Sequence, residues 1–299
     1  MNTIGQPLLS VLASRVSIVV PAYKMGQYLK QALDSIAAQT YSNWEVIVVD
    51  DMGPEDGTAE IVRSFGERMP GKRVELIRHA VNQGVSAARN TGINSSTGEF
   101  VAFLDPDDSW MPHHLASAVS LLHGEAVDVA CGPVESYRDD PERSWTHKAW
   151  IDQWKSRNFP FSLSVYNFIQ PSAVVARRAV VVEVGGFDTD PAIQHIEDYD
   201  LWIRLVQTGY TFGFMTEISA RYRKHAGGAT TQEEKFKVLH AKLYAKHPDF
   251  FREGQRRMMR VIHQGMARLH ERDKAPIMST ILWIDDKLQR LFRKSGIKE

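Results

Sequence analysis

Gly98-Glu99-Phe100-Val101-Ala102-Phe103-Leu104-Asp105-Pro106-Asp107-Asp108 is the stretch on which the reading of this chain turns. Its apolar half is short enough for a buried strand rather than a helix. The carboxylates of Asp105, Asp107 and Asp108 then arrive together at the strand's carboxyl end, the edge at which open α/β sheets bind ligands. Crowded carboxylates raise one another's pKa unless a cation lies among them. Hard oxygen donors in this number suit Mg²⁺ or Mn²⁺, ions that commonly also hold substrate phosphates. Asp and Pro are equally ordinary turn residues, so an acidic turn capping the next helix is the competing reading. A motif this short does not choose between them.

The flanking sequence does. Val16-Ser17-Ile18-Val19-Val20 reads as a strand broken at Pro21, and 28–39 as a helix with Leu29, Leu33, Ile36 and Ala37 on one side. A strand over 44–49 ends on Asp50-Asp51, followed by a helix over 58–65 and a strand over 74–77. Asn82-Gln83-Gly84 is a turn, and the Ala-rich 85–94 a helix leading to the strand before the acidic run. This alternation predicts an α/β, Rossmann-like fold with a mostly parallel, doubly wound sheet. Loops after successive strands share one edge, which gathers Pro21-Ala22-Tyr23, Asp50-Asp51 and the acidic run.

Downstream, helices are expected over 115–122, 177–184 and 197–207, the second stopped by Gly185-Gly186 and the third by Gly209. Strands are expected over 127–132, 173–176, 211–215 and 220–223, while 138–158, with Trp145, Trp150 and Trp154, has no regular pattern. From residue 230 the chain reads as helical, divided by Pro248 and Pro276. Gly227-Gly228 is the expected boundary, giving an N-terminal segment over 1–15, a main domain over 16–228 and a helical C-terminal extension over 229–299.

Of 299 residues, 43% are hydrophobic and 24% charged, which places the chain among ordinary globular proteins. Lys plus Arg and Asp plus Glu both number 36, so there is no polyanion-binding signature and no nucleic-acid partner is expected. The single cysteine, Cys131, excludes an intrachain disulfide and reads as a small buried hydrophobe in a reducing, cytoplasmic setting. Residues 1–14 lack the basic region of a signal peptide.

The ordered motifs resemble those of a family 2 glycosyltransferase with the GT-A fold, over roughly residues 16–225. The matching pieces run Ser17-Ile18-Val19-Val20-Pro21-Ala22-Tyr23, then Val48-Val49-Asp50-Asp51 with Asp56-Gly57-Thr58. Asn82-Gln83-Gly84-Val85-Ser86-Ala87-Ala88-Arg89-Asn90 and the acidic run follow. Gly185-Gly186-Phe187-Asp188, Glu197-Asp198-Tyr199-Asp200-Leu201-Trp202 and Tyr222-Arg223-Lys224-His225 complete the series. The resemblance implies inverting transfer of a sugar from a nucleotide-diphosphate sugar, a UDP-sugar first among them, to an acceptor hydroxyl. The acceptor would be a glycan or lipid-linked glycan of polysaccharide, lipopolysaccharide or glycolipid assembly.

By the same resemblance, Asp107 holds the Mn²⁺ or Mg²⁺ ion, His225 reaches the metal or diphosphate, and Asp105 lies toward the ribose. Pro21, Ala22, Tyr23 and Asp51 form the base-binding end, where a carboxylate accepts an imide N–H and a Tyr ring packs on the base. Arg89 reads either as a phosphate contact or as an exposed helix arginine. Asp198 is the expected general base, ionised because its place in a first helical turn depresses its pKa. Glu197 and Asp200 compete for that role, and Glu197, Phe187 and Asp188 are assigned to the acceptor side. Asp108 reads as a site residue or a helix cap, Asp50 as a turn former, and His113 and His114 as surface residues.

Two departures fall at the nucleotide end: Met52-Gly53-Pro54-Glu55 replaces a shorter Gly-Ser turn, and Lys24 stands where Asn is familiar. The apolar positions of 277–292, followed by Arg293 and Lys294, predict a helix that packs on protein, mediates homo-oligomer contact, or rests on the inner face of a membrane. A nucleotidyltransferase would need a Gly-rich, Lys- or Arg-bearing phosphate loop after the first strand, which Pro21-Ala22-Tyr23-Lys24-Met25-Gly26 is not. A non-catalytic nucleotide-sugar-binding subunit of an assembly complex remains the other alternative.

Overall fold

The structure is a computed structural model that describes residues 14–125, 127–138, 151, 153–225 and 233–268. A seven-stranded sheet organises the chain, in the order β3-β2-β1-β4-β8-β6-β9. Its strands are β1 (Val16–Ala22), β2 (Trp44–Asp50), β3 (Val74–Arg78), β4 (Phe100–Phe103), β6 (Val129–Cys131), β8 (Val174–Arg177) and β9 (Phe212–Phe214). β3, β2, β1 and β4 are mutually parallel, and β8 runs antiparallel to both β4 and β6. A second sheet, β5-β10-β7, is made of β5 (Ser109–Trp110), β7 (Val134–Arg138) and β10 (Ala220–Lys224).

Every residue of β1 and β2 is buried, as expected of parallel strands covered on both faces. Alternation along β1 sends Val16, Ile18 and Val20 into one core and Val19 into the other. Helices α1 (Gly26–Ala37), α2 (Thr58–Arg68) and α4 (His114–Gly124) supply Leu29, Leu33, Phe65 and Leu115 to the first core. Helices α7 (Arg178–Glu183) and α8 (Glu197–Thr208) supply Val181, Leu201 and Trp202 to the second. Each such large side chain contributes roughly 1.5–3 kcal/mol by leaving water.

Pro21 does not end β1: it pairs with Val49, and the strand continues through Ala22. The β4 ladder stops at Val19↔Phe103 and Leu104 N donates to Val19 O at 3.1 Å. Pro21, two residues on, therefore lies past the last rung on that side, where a missing N–H breaks no ladder.

Helix α3 (Val85–Ser95) lies close against β1 at Gly92, where an added Cβ would fall 2.3 Å from Val19 Cγ1. The short helix α5 (Gln153–Arg157) lies at the end of the 138–158 stretch, most of which is outside the described residues, and α6 (Phe161–Val165) follows it. The extension begins as α9 (Glu233–Lys246) and α10 (Pro248–Arg268), broken at Pro248 as expected. Leu239, Leu243 and Phe251 belong to the same core as Val19 and Trp202, so these helices pack into the sheet's second face. The helix expected over 277–292 lies outside the described residues. No described helix is long and apolar enough to cross a membrane.

Two expectations about single residues are corrected. His114 is fully buried, its ring stacked 4.4 Å from that of Trp110, and burial pushes its pKa down to about 3. Asp108 does not cap α4, whose N-terminal flanking residue is His113. Cys131 is the buried hydrophobe expected, and burial drives its thiol pKa up.

Candidate active site

The carboxyl ends of β1, β2 and β4 bring the acidic run, Asp50-Asp51 and Tyr23 to one edge of the sheet. Asp108 is 2% exposed, its Oδ2 accepting from Ser172 Oγ at 2.6 Å and its Oδ1 from Arg223 N at 3.0 Å. Ser172 Oγ also accepts from Asp105 N at 3.1 Å, and Arg223 Nε donates to Asp107 O at 3.0 Å. Asp108 is thus an internal anchor that fastens β10 and the turn before β8 to the acidic run. Burial first, then the charges of Asp107 and Asp105, raise its pKa well above the ordinary carboxylate value.

Because β10 is fastened there, His225 just beyond it comes to rest with Nε2 2.9 Å from Asp107 Oδ2. Its ring packs 5.1 Å from Tyr28. Burial and the charge of Asp105 raise the Asp107 pKa, and His225 opposes the rise. A carboxylate oxygen and an imidazole nitrogen side by side, in a surplus of negative charge, fit a hard or borderline divalent cation. Among the described residues no group of three or more His, Cys, Asp or Glu could hold a metal by itself. An ion here would need further oxygen atoms from a bound phosphate or from water.

At the other end, Asp50 orders the turn as expected, its Oδ1 accepting from Gly53 N at 2.8 Å. Asp51 is 3% exposed, and its Oδ1 accepts from His79 Nδ1 at 2.7 Å and Gln83 N at 2.8 Å. Its Oδ2 accepts from Gly84 N at 2.7 Å, which leaves one acceptor position on that oxygen. Tyr23 is 41% exposed, with Lys24 Nζ 5.0 Å from the ring centre, so its ring is a surface platform and not core. Lys24 and Met52, the two departures, both hold left-handed backbone, at φ 58° and 57°.

Arg89 is not an exposed helix residue. It is 3% exposed, and its Nη2 donates to Asp105 Oδ1 at 2.7 Å while Nη1 donates to Glu197 Oε1 at 2.8 Å. The guanidinium sits 5.0 Å over the Phe187 ring. These carboxylates hold the Arg89 pKa above its usual value despite burial. The neighbouring Asn90 grips the Phe187 backbone with both amide atoms, at 2.7 and 2.8 Å. Gly186, at φ 68°, leaves room for that grip, since a Cβ there would fall 2.5 Å from Asn90 Oδ1.

Of the acidic residues opening α8, two are fully engaged. Glu197 accepts from Arg89 and from His195 N at 2.6 Å. Asp200 is completely buried among Arg204, His247 and Lys246, which hold its pKa below the usual range. Asp198 alone is not fully buried, its carboxylate accepting from Asn167 Nδ2 at 2.9 Å and Tyr199 N at 2.7 Å. The expected depression of its pKa by the helix dipole is overturned: burial, joined by the Glu197 charge, lifts it to about 7 against the pull of Arg89.

Two residues assigned to the acceptor side already have partners within the protein. Phe187 is 1% exposed and meets Phe103 edge-on at 5.1 Å, so its ring supports the site from the core. Asp188 pairs with Lys246 of α9 and accepts from Asp190 N at 2.8 Å. Sequence reasoning missed Ser172 and Asn167, which lie in stretches without periodicity. It passed over Asn90 and Arg223, although both stand inside the motifs quoted above.

The family model for glycosyl transferase family 2 matches residues 17–185. The amylovoran biosynthesis glycosyltransferase AmsB of Erwinia amylovora is 31% identical over 212 residues, which cover 69% of this chain and 68% of that protein. The crystal structure of S. aureus TarS 1-349 with UDP-GlcNAc superposes with a TM-score of 0.61 at 20% identity, over 77% of this chain and 66% of that one. The mannosyltransferase PcManGT from Pyrobaculum calidifontis, in complex with GDP-Man and Mn²⁺, gives 0.56 at 19% identity, over 98% and 90%. At these identities the two structures speak for the fold, which is the GT-A type of α/β fold. With its ordered motifs and more than half its length matched, the chain belongs to glycosyl transferase family 2 and is a glycosyltransferase.

Proposed function

We propose that this enzyme transfers a glycosyl group, with inversion, from a nucleotide-diphosphate sugar to an acceptor hydroxyl. The observation that carries the reading is the joining of the acidic run to Asp198 through Arg89 and Glu197, so that a phosphate-side cluster and a proton acceptor belong to one site. Asp107 and His225 are the residues that would hold Mn²⁺ or Mg²⁺, with the donor's diphosphate completing the ligand set. When bound, the ion supplies Lewis acidity that neutralises charge growing on the leaving diphosphate. Asp105 faces the ribose side, Tyr23 carries the base with Pro21 and Ala22 behind it, and the remaining acceptor position of Asp51 Oδ2 takes a base N–H.

Asp198 accepts the proton of the acceptor hydroxyl as its oxygen bonds to the anomeric carbon. The bond from that carbon to the diphosphate oxygen breaks from the opposite face, and the nucleoside diphosphate leaves with the electron pair. A carboxyl with pKa about 7 suits this work, since a base is most effective when its pKa lies near the operating pH. UDP-sugars are the first donors to try, supported by the UDP-GlcNAc complex of TarS; the GDP-Man complex of PcManGT makes GDP-sugars the next. Cell-surface polysaccharide or lipid-linked glycan is the proposed acceptor class, supported by the biosynthetic role in the AmsB name. Work at the inner face of the membrane follows from that acceptor.

A thermal-shift series with UDP-, GDP- and dTDP-sugars, each with and without Mn²⁺, tests the donor reading. Stabilisation by one nucleotide class only when Mn²⁺ is present is the expected result; equal shifts without the ion would contradict it. Binding with no turnover of any donor would favour a non-catalytic subunit.

A further inference from the structure

We propose that Arg89 is a positioning residue: it fixes the catalytic helix α8 against the acidic run, so that Asp198 and the phosphate side of the site keep a set separation. The proposal rests on the glycosyltransferase reading and adds to it a role for a residue that would otherwise be taken as a phosphate contact. Arg89 is rigidly delivered. Helix α3 starts from a loop held by Asp51 through Gln83 N and Gly84 N, and it is seated on β1 at Gly92. From that base the guanidinium spans two elements that have no other charged link to each other among the described residues.

One prong binds Asp105, whose backbone nitrogen is bonded to Ser172 and which stands two residues before Asp107. The other binds Glu197, which also holds His195 N and adjoins Asp198. His195 itself is in left-handed backbone, φ 80°, so the entry to α8 is kept in an uncommon conformation that needs outside support. The Phe187 ring lies beneath the guanidinium, and Asn90 locks that ring's backbone to the same helix. Arg89 is 3% exposed, two of its nitrogens are given to carboxylates, and its Nε is buried without a hydrogen-bond partner, so the bonds it makes all serve the protein. A lysine carries the same charge but not the planar fork, so it cannot serve both carboxylates in this geometry.

Arg89→Lys is therefore expected to lower kcat on the order of 100-fold, the loss that a displacement of about 1 Å between catalytic groups produces. The Kd of UDP with Mn²⁺, measured by calorimetry, should stay within about threefold of wild type. Added guanidinium ion should restore part of the turnover of Arg89→Ala, and Glu197→Gln should repeat the split between kcat and Kd should the lysine variant not fold. A parallel loss of UDP affinity would make Arg89 a donor contact and overturn the proposal, as would unchanged kcat. A wild-type protein that binds UDP and Mn²⁺ yet turns over no donor would overturn the functional reading itself, and the positioning role with it. Wild-type turnover persisting in Arg89→Lys would overturn the positioning role alone.

Discussion

Replacing Asp198 by Asn should remove activity and, at the same time, make the fold more stable above neutral pH. The carboxyl has an ordinary value of 3.8 when exposed and about 7 in the folded protein. The folded state therefore holds a proton that the unfolded state releases between these values. Stability from this group is fully present below about pH 4 and is lost as pH rises toward 7. Moving the carboxyl from 3.8 to about 7 corresponds to about 4 kcal/mol at complete burial. Because Asp198 is partly exposed, solvent screening reduces the expected loss to about 2 kcal/mol.

Urea unfolding of wild type and Asp198→Asn at pH 5 and pH 8 reads this directly. Part of the loss already falls below pH 5, so the variant's advantage should grow by about 1 kcal/mol from the lower to the higher pH. Over the same span wild-type turnover should rise, since the ionised fraction goes from roughly a tenth at pH 6 to nine tenths at pH 8. The variant should retain nucleotide binding and lose roughly 10²–10⁴ in turnover. Parallel stability profiles, or turnover in the variant close to wild type, would refute the assignment of Asp198 as a base of raised pKa.

Asp107→Asn should weaken Mn²⁺-dependent UDP binding by roughly 10–100-fold in calorimetry, and His225→Ala should act in the same direction. Tyr23→Ala should lower nucleotide affinity by about tenfold with kcat at saturating donor little changed, as loss of a stacking platform predicts. Met52→Gly relieves a non-glycine left-handed residue and should raise stability by about 0.5–1 kcal/mol, read as an increase in Tm.

The strand–helix alternation was legible because the central strands β1, β2 and β4 are buried on both faces and the flanking helices bury one, so apolar runs and hydrophobic period report them. Val16–Ala22, Trp44–Asp50 and Val85–Ser95 all follow that pattern to within a few residues. The reversed strand β8 was visible as a strand but not as antiparallel, because direction depends on the connection and not on side-chain period. Site residues on strand ends were legible for the same reason as the strands. What the sequence hid was polarity inside the protein. Arg89 and Asp108 look like exposed helix and cap residues until the carboxylates and backbone groups that satisfy them are seen. His114 likewise reads as surface, although its ring lies flat on Trp110. The Asp198 pKa failed for a related reason: a helix dipole can be inferred from chain position, whereas burial beside Glu197 cannot.

The most direct test of inverting transfer with Asp198 as base needs no acceptor. Slow hydrolysis of an α-linked UDP-sugar such as UDP-GlcNAc, in the presence of Mn²⁺, can be followed by proton NMR before the released sugar mutarotates. The β-anomer appearing first, and disappearing with Asp198→Asn, is the predicted result. Release of the α-anomer first, or hydrolysis unaffected by that substitution, would contradict the mechanism.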